Sequence, residues 1–211
     1  NSQTYYWRVR AADGDFSEVW SFTTIVAIPL APTLLTPANN STGLSTTGLV
    51  ATWSPVAGAA TYRFQAATDA GFTNIIINDS TITTTNYNLP ALSGYTNYYW
   101  RVNAKNIAGT GPFSSVFTFR TKAGTPTLTS PANNSVNQPV SLTLSWSAVP
   151  NVPNYRVQVA TDLAFNNLVV NDSTVTGTSR AVSGLSNSQT YYWRVRAADG
   201  DFSEVWSFTT I

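Results

Sequence analysis

The chain has no cysteine, no histidine and no methionine among its 211 residues. Without cysteine there is no disulfide, no thiolate nucleophile and no zinc–sulfur site. Without histidine, the commonest general base and the commonest metal ligand are missing together. Charge is scarce as well: Asp, Glu, Lys and Arg make up 10% of the chain, and the formal net charge is +1. Lys105 and Lys122 are the only ammonium side chains, so no basic stripe is available for phosphates or for an anionic membrane. Glu18 and Glu204 are the only glutamates, which gives no sign of the paired acids that glycoside hydrolysis requires. The apolar stretch Ile25 to Ala31 is too short to span a bilayer. These absences argue for a non-catalytic protein with no cofactor, no nucleic-acid partner and no membrane insertion.

What is present is repetition. Trp53 matches Trp146, Tyr62 matches Tyr155, Asp69 matches Asp162, Phe72 matches Phe165, and Tyr98 to Val102 matches Tyr191 to Val195, all at a spacing of 93. One register held over that length means two copies of one unit. Phe119 matches Phe208 at a spacing of 89, so the second copy has a loop four residues shorter before its last strand. The opening Thr36-Pro37-Ala38-Asn39-Asn40-Ser41 recurs as Ser130-Pro131-Ala132-Asn133-Asn134-Ser135. Boundaries near Thr24 to Pro32 and Thr121 to Pro126 give expected domains over 26–122 and 123–211. Both linkers are short, which favours a stiff connection over a flexible tether. Residues 1–25 are identical, letter for letter, to 187–211, at an offset twice 93.

Apolar and polar residues alternate as in half-buried strands. Leu142, Leu144 and Trp146 share one face, as do Tyr155, Val157 and Val159, and as do Tyr191, Trp193, Val195 and Ala197. Turn residues separate these runs at Asn133-Asn134, Asp162 and Asp199-Gly200. No segment carries a sustained helical period, so the pattern predicts an all-β sandwich architecture.

Leu185, followed by Tyr191, Trp193, Val195 and Ala197, resembles the signature of the fibronectin type III family around its E–F corner and strand F. Leu92, Tyr98, Trp100, Val102 and Ala104 repeat it. The resemblance implies tandem immunoglobulin-like (fibronectin type III) β-sandwiches. Their core would hold Trp53, Tyr98, Trp100, Trp146, Tyr191 and Trp193, with Trp53 and Trp146 on strand B. The wording around Tyr-Tyr-Trp-Arg-Val is similar to repeats of bacterial surface and secreted proteins, which implies an extracellular or cell-surface location. There is no Arg-Gly-Asp, so integrin binding of the animal kind is not implied.

On this reading residues 1–25 are a partial domain, strands F and G alone. That hairpin would expose Tyr5, Trp7, Val9, Trp20 and Phe22 on its inward face. A large aromatic buries about 150–250 Å² when packed, or roughly 4–6 kcal/mol at about 25 cal/mol per Å² as an upper bound. Such a segment needs something to pack on, and a neighbouring repeat or another copy of the chain is the expected partner. A copy supplied in trans would compete with the tethered hairpin 187–211 of the receiving chain.

Other positions invite chemical readings beside plainer ones. Asp199-Gly200-Asp201, echoed by Asp13-Gly14-Asp15, offers oxygen ligands of the calcium type, while Asp-Gly is also a hairpin-turn signal and is read first as one. Asp69 and Asp162 close strand C, where a carboxylate accepting backbone N–H groups suffices. Tyr99 with Arg101, and Tyr192 with Arg194, are expected to point outward from strand F as a contact surface for surface glycans or neighbouring subunits, or else to pack across the sheet against Arg63 and Arg156. Asn39, Asn40, Asn78, Asn133 and Asn171 begin Asn-x-Ser/Thr triplets, glycan acceptors only in a eukaryotic secreted setting. The functional expectation is a structural repeat segment of an extracellular fibre, stalk or adhesin shaft, with filament assembly as a further option. The alternative is an accessory spacer or carbohydrate-binding module of a secreted multidomain enzyme.

Overall fold

The computed structural model describes residues 2–211, and every regular element among them is a strand. The first two are β1 (Thr4–Trp7) and β2 (Trp20–Thr23). The next nine are β3 (Leu34–Thr36), β4 (Ser41–Leu44), β5 (Val50–Trp53), β6 (Thr61–Ala67), β7 (Ile75–Ile82), β8 (Asn86–Asn88), β9 (Asn97–Asn106), β10 (Gly109–Thr110) and β11 (Phe117–Thr121). The last eight are β12 (Leu128–Ser130), β13 (Ser135–Gln138), β14 (Leu142–Trp146), β15 (Tyr155–Ala160), β16 (Leu168–Val175), β17 (Ser179–Val182), β18 (Thr190–Ala197) and β19 (Trp206–Thr210). The strand order β3-β5-β8 recurs as β12-β14-β17, and β4-β11-β9-β6-β7 recurs as β13-β19-β18-β15-β16. Two facing sheets with this repeated order are the sandwich that alternation along the chain predicts.

Two compact units divide the chain, Asn1–Asn39 with Val50–Asn88 and Tyr98–Thr118, and Asn40–Leu49 with Leu89–Asn97 and Phe119–Ile211. In the first, Trp53, Phe64, Trp100 and Val102 are fully buried. Phe64 organises them: its ring stacks on Tyr87 at 4.7 Å and lies 5.8 Å from Trp100 and 6.2 Å from Trp53. In the second, Leu144, Val157, Val159, Trp193, Val195 and Phe208 have no measurable exposure, and Trp146 and Tyr191 are buried beside them. Alternate residues of each strand point to opposite faces, so the Tyr-x-Trp-x-Val order of β18 delivers three large side chains to one core.

Tyrosine hydroxyls lock the corners. Tyr191 Oη accepts the Ser186 N–H at 2.9 Å, which fixes the chain entering β18. Tyr155 Oη accepts the Val149 N–H at 2.8 Å, and Tyr62 Oη accepts the Val56 N–H at 3.0 Å. These strand-C locks satisfy loop amides that have no ladder partner.

The hairpin β1–β2 keeps the register of its buried twin: Thr4 faces Thr23 and Trp7 faces Trp20, as Thr190 faces Thr209 and Trp193 faces Trp206. Its surroundings differ entirely. Tyr5, Trp7, Val9 and Phe22 are 44%, 49%, 60% and 55% exposed, against at most 3% for Tyr191, Trp193, Val195 and Phe208. β18 continues to Ala197 because β15 pairs along its whole length, whereas β1, which pairs with β2, stops at Trp7. Two identical tryptophans therefore sit in opposite environments. Trp193→Ala is expected to cost about 3–5 kcal/mol of unfolding free energy through lost burial and a residual cavity. Trp7→Ala is expected to change it by less than about 0.5 kcal/mol, both read from denaturant unfolding followed by circular dichroism.

Candidate functional site

The most distinctive surface among the described residues is the apolar face of the hairpin formed by 2–25. Tyr5 stacks on Phe22 at 5.4 Å and Trp7 tilts against Trp20 at 5.8 Å. The corresponding pairs of the second copy, Tyr191 with Phe208 and Trp193 with Trp206, stand at 5.6 and 6.2 Å. The loop is braced in the same way in both. Val9 N–H donates to Ser17 Oγ at 3.0 Å, and Val195 N–H donates to Ser203 Oγ at 3.0 Å. Arg8 lies 3.9 Å over Phe16, and Arg194 lies 4.1 Å over Phe202. The hairpin thus holds its docked geometry with its apolar face open, which lowers the ordering cost of binding. One contact changes: Tyr5 Oη turns to Gln3 Oε1 at 3.0 Å, where Tyr191 Oη accepts a backbone N–H of the E–F corner.

The outward row on strand F is more constrained than its sequence suggests. The Arg101 guanidinium is sandwiched between Phe72 at 3.9 Å and Phe113 at 4.1 Å, and Arg194 between Phe165 at 4.0 Å and Phe202 at 4.1 Å. Each also donates from Nε to a buried glutamine, Gln65 or Gln158, at 2.9 Å. Burial is the main cause lowering both guanidinium pKa values. The ladder continues outward: Gln65 and Arg63 share Asn78 Oδ1, and Gln158 and Arg156 share Asn171 Oδ1. Tyr99 and Tyr192 remain half-buried and pair in register with Ala67 and Ala160, not with Arg63 and Arg156 as expected. Arg63 and Arg156 instead face Asn103 and Arg196. The phenylalanines that clamp the arginines follow the F–G loop as Phe-Ser in all three copies, Phe16-Ser17, Phe113-Ser114 and Phe202-Ser203. That recurrence was available in the sequence and marks the clamp.

The candidate calcium residues have other partners. Asp199 accepts from Arg120 Nη2 at 3.0 Å and from the Ala123 N–H at 3.2 Å, and Asp201 pairs with Lys122 Nζ. Among the described residues no group of three metal-type side chains converges. An open depression of about 380 Å³ beside β6 is lined by Thr61, Arg63, Asn78, Ser80, Lys105 and Thr110 among others. Of these lining groups none is an acid, so the depression offers no acid–base pair.

Asp69 and Asp162 cap the turn after strand C. Asp162 accepts the Asn167 N–H at 2.7 Å and the Asn166 N–H at 3.1 Å, and Asp69 accepts those of Asn74 at 2.6 Å and Thr73 at 3.1 Å. The cap holds Phe72 and Phe165 at φ of 55° and 59°, a left-handed conformation costly for a bulky residue. That strain delivers the rings that stack on Arg101 and Arg194. The Asn167 and Asn166 amides lower the Asp162 pKa, and those of Asn74 and Thr73 lower that of Asp69. A folded pKa below the unfolded value means that the cap contributes fully above about pH 3.8 and is lost as pH falls through the lowered value. Amide exchange at Asn167 is accordingly expected to speed up as pH drops below 3.8, after correction for intrinsic rates. Asp162→Ala should remove that pH dependence.

Comparison with known proteins bears on the family. The model of the "Fibronectin type III domain" matches residues 35–120. Comparison with curated proteins gives no match. A two-domain fibronectin type III segment of chicken tenascin is 20% identical with a TM-score of 0.51, over 85% of this chain and 96% of that one. The FN1–FN3 domains of chicken CNTN1 are 22% identical with a TM-score of 0.37, over 98% of this chain and 77% of that one. At these identities the tenascin likeness speaks to the fold alone, and it agrees with the repeated strand order. The family likeness therefore rests on residues 35–120, which span most of the first sandwich.

Proposed function

We propose that the chain is a stretch of a structural repeat array, the shaft of an extracellular fibre, stalk or adhesin on a bacterial surface or in a secreted bacterial protein. In this reading 26–122 and 123–211 are successive sandwiches, and 1–25 are the closing strands of the sandwich before them. The observation that carries it is the 25-residue segment that occurs twice, buried against strands β14 and β15 in one copy and open in the other. An array with a period of 186 residues would generate such a repeat at every second sandwich. The partner of the open face is then the neighbouring repeat. Non-catalytic fibronectin type III modules and the scarcity of acid–base residues support a mechanical role.

The reading is tested by the mass of the native polypeptide from its source, measured under denaturing conditions. A mass far above 22.8 kDa is expected. A mass close to 22.8 kDa would overturn it and make the repeated hairpin an element for exchange between chains.

A further inference from the structure

Each F–G loop meets the linker that leads into its own sandwich, and the two meetings differ in chemistry. At the first, Asn106 Nδ2 donates to Ala27 O at 2.7 Å, and Ile28 packs on Gly109. A Cβ at Gly111 would lie 2.1 Å from Pro29 O, so only glycine admits the linker there. At the second, Arg120 and Lys122 pair with Asp199 and Asp201, Asp199 accepts the Ala123 N–H, and a Cβ at Gly200 would lie 2.8 Å from Ala123 O. Arg120 also lies 4.5 Å over the Tyr95 ring. The first junction is uncharged and the second is built from two ion pairs.

Their lengths match too. Leu34 follows Phe22 by twelve residues, whereas Leu128 follows Phe119 by nine. The longer linker faces the F–G loop that is four residues longer, and the shorter linker faces the shorter loop. Charge, length and glycine placement agree independently at both junctions.

We propose that the two loops are junction-specific docking sites. The Asp-Gly-Asp loop takes only a short linker with the Arg-x-Lys-Ala end, and the Asn106–Gly111 loop takes only a long, apolar linker. The exposed Asp13-Gly14-Asp15 loop is then a docking site for a short basic linker, and the end at Ile211, identical to that at Ile25, suits a long linker and a long loop. Sandwiches ordered this way alternate strictly, and the building unit is a pair of 186 residues. This rests on the repeat reading, but its test uses only the two junctions inside this chain. Native mass and junction behaviour can therefore fail separately.

The test is amide exchange on the full chain by NMR. The Ala123 amide reports the charged junction, the Asn106 side-chain amide reports the other, and the Ser203 amide, bonded to Val195 O, reports loop integrity. Asp199→Ala with Asp201→Ala should speed Ala123 exchange at least about tenfold, consistent with losing about 1.4 kcal/mol, and leave Asn106 and Ser203 unchanged. Arg120→Thr with Lys122→Ile, which gives this end the residues found after Phe22, should do the same. Gly111→Ala should release Asn106 and leave Ala123 protected, with Ile28→Ser as the milder variant if the loop itself unfolds. Ala123 staying protected in either charge variant would overturn the proposal. So would either set of variants opening both junctions.

Discussion

Everything in this structure depends on covering one face of a strand, the Tyr-x-Trp-x-Val face of strand F. In the second sandwich that face closes over Trp146, Val157 and Val159, and its central tryptophan has no exposed surface. Burial of this kind is the dominant favourable contribution to a sandwich of this size, because a chain without cysteine has no disulfide to supplement it. The same segment at the start of the chain shows the other limit, with its inter-strand bonds made and its aromatic face in water. Local sequence therefore fixes the hairpin, while burial needs the strands that complete the sandwich.

Polar side chains do the work that charge does elsewhere. Arginine Nε, glutamine and asparagine form a ladder across three strands in each sandwich, with nearly identical distances in the two copies. Aromatic rings on both sides of the guanidinium shield it, and one of those rings is held in place by an aspartate-capped turn. Stacking on planar guanidinium explains why lysine does not stand at these positions. The surface ion pairs at Asp199 and Asp201 are half-solvated and contribute little as charges alone, so their value lies in direction and fit.

Much of this was legible in the sequence. The strand alternation, the register of 93 and the Leu-to-Tyr spacing indicated a sandwich, and in the structure Trp53, Trp100, Trp146 and Trp193 are buried. The outward position of Tyr99 and Arg101 also followed from alternation, but their partners did not. Strand F pairs with strand C without interruption, but alternation fixes only the face of each side chain and not which residue stands opposite it. The role of Asp199-Gly200-Asp201 was hidden for a related reason: a short acidic turn reads alike whether it holds an ion, a turn or a distant linker. Only the fold brings Arg120 and Lys122 to it.

The central claim is that the open face of 1–25 belongs to a sandwich whose other strands have the sequence of 123–186. It is tested by adding that segment ahead of residue 1 and measuring acrylamide quenching of a chain whose only tryptophans are Trp7 and Trp20, the other five and the tryptophan carried by the added segment being replaced by phenylalanine. The account predicts strong quenching without the added segment and marked protection with it. Protection already present without the segment, or quenching that persists with it, would contradict the account.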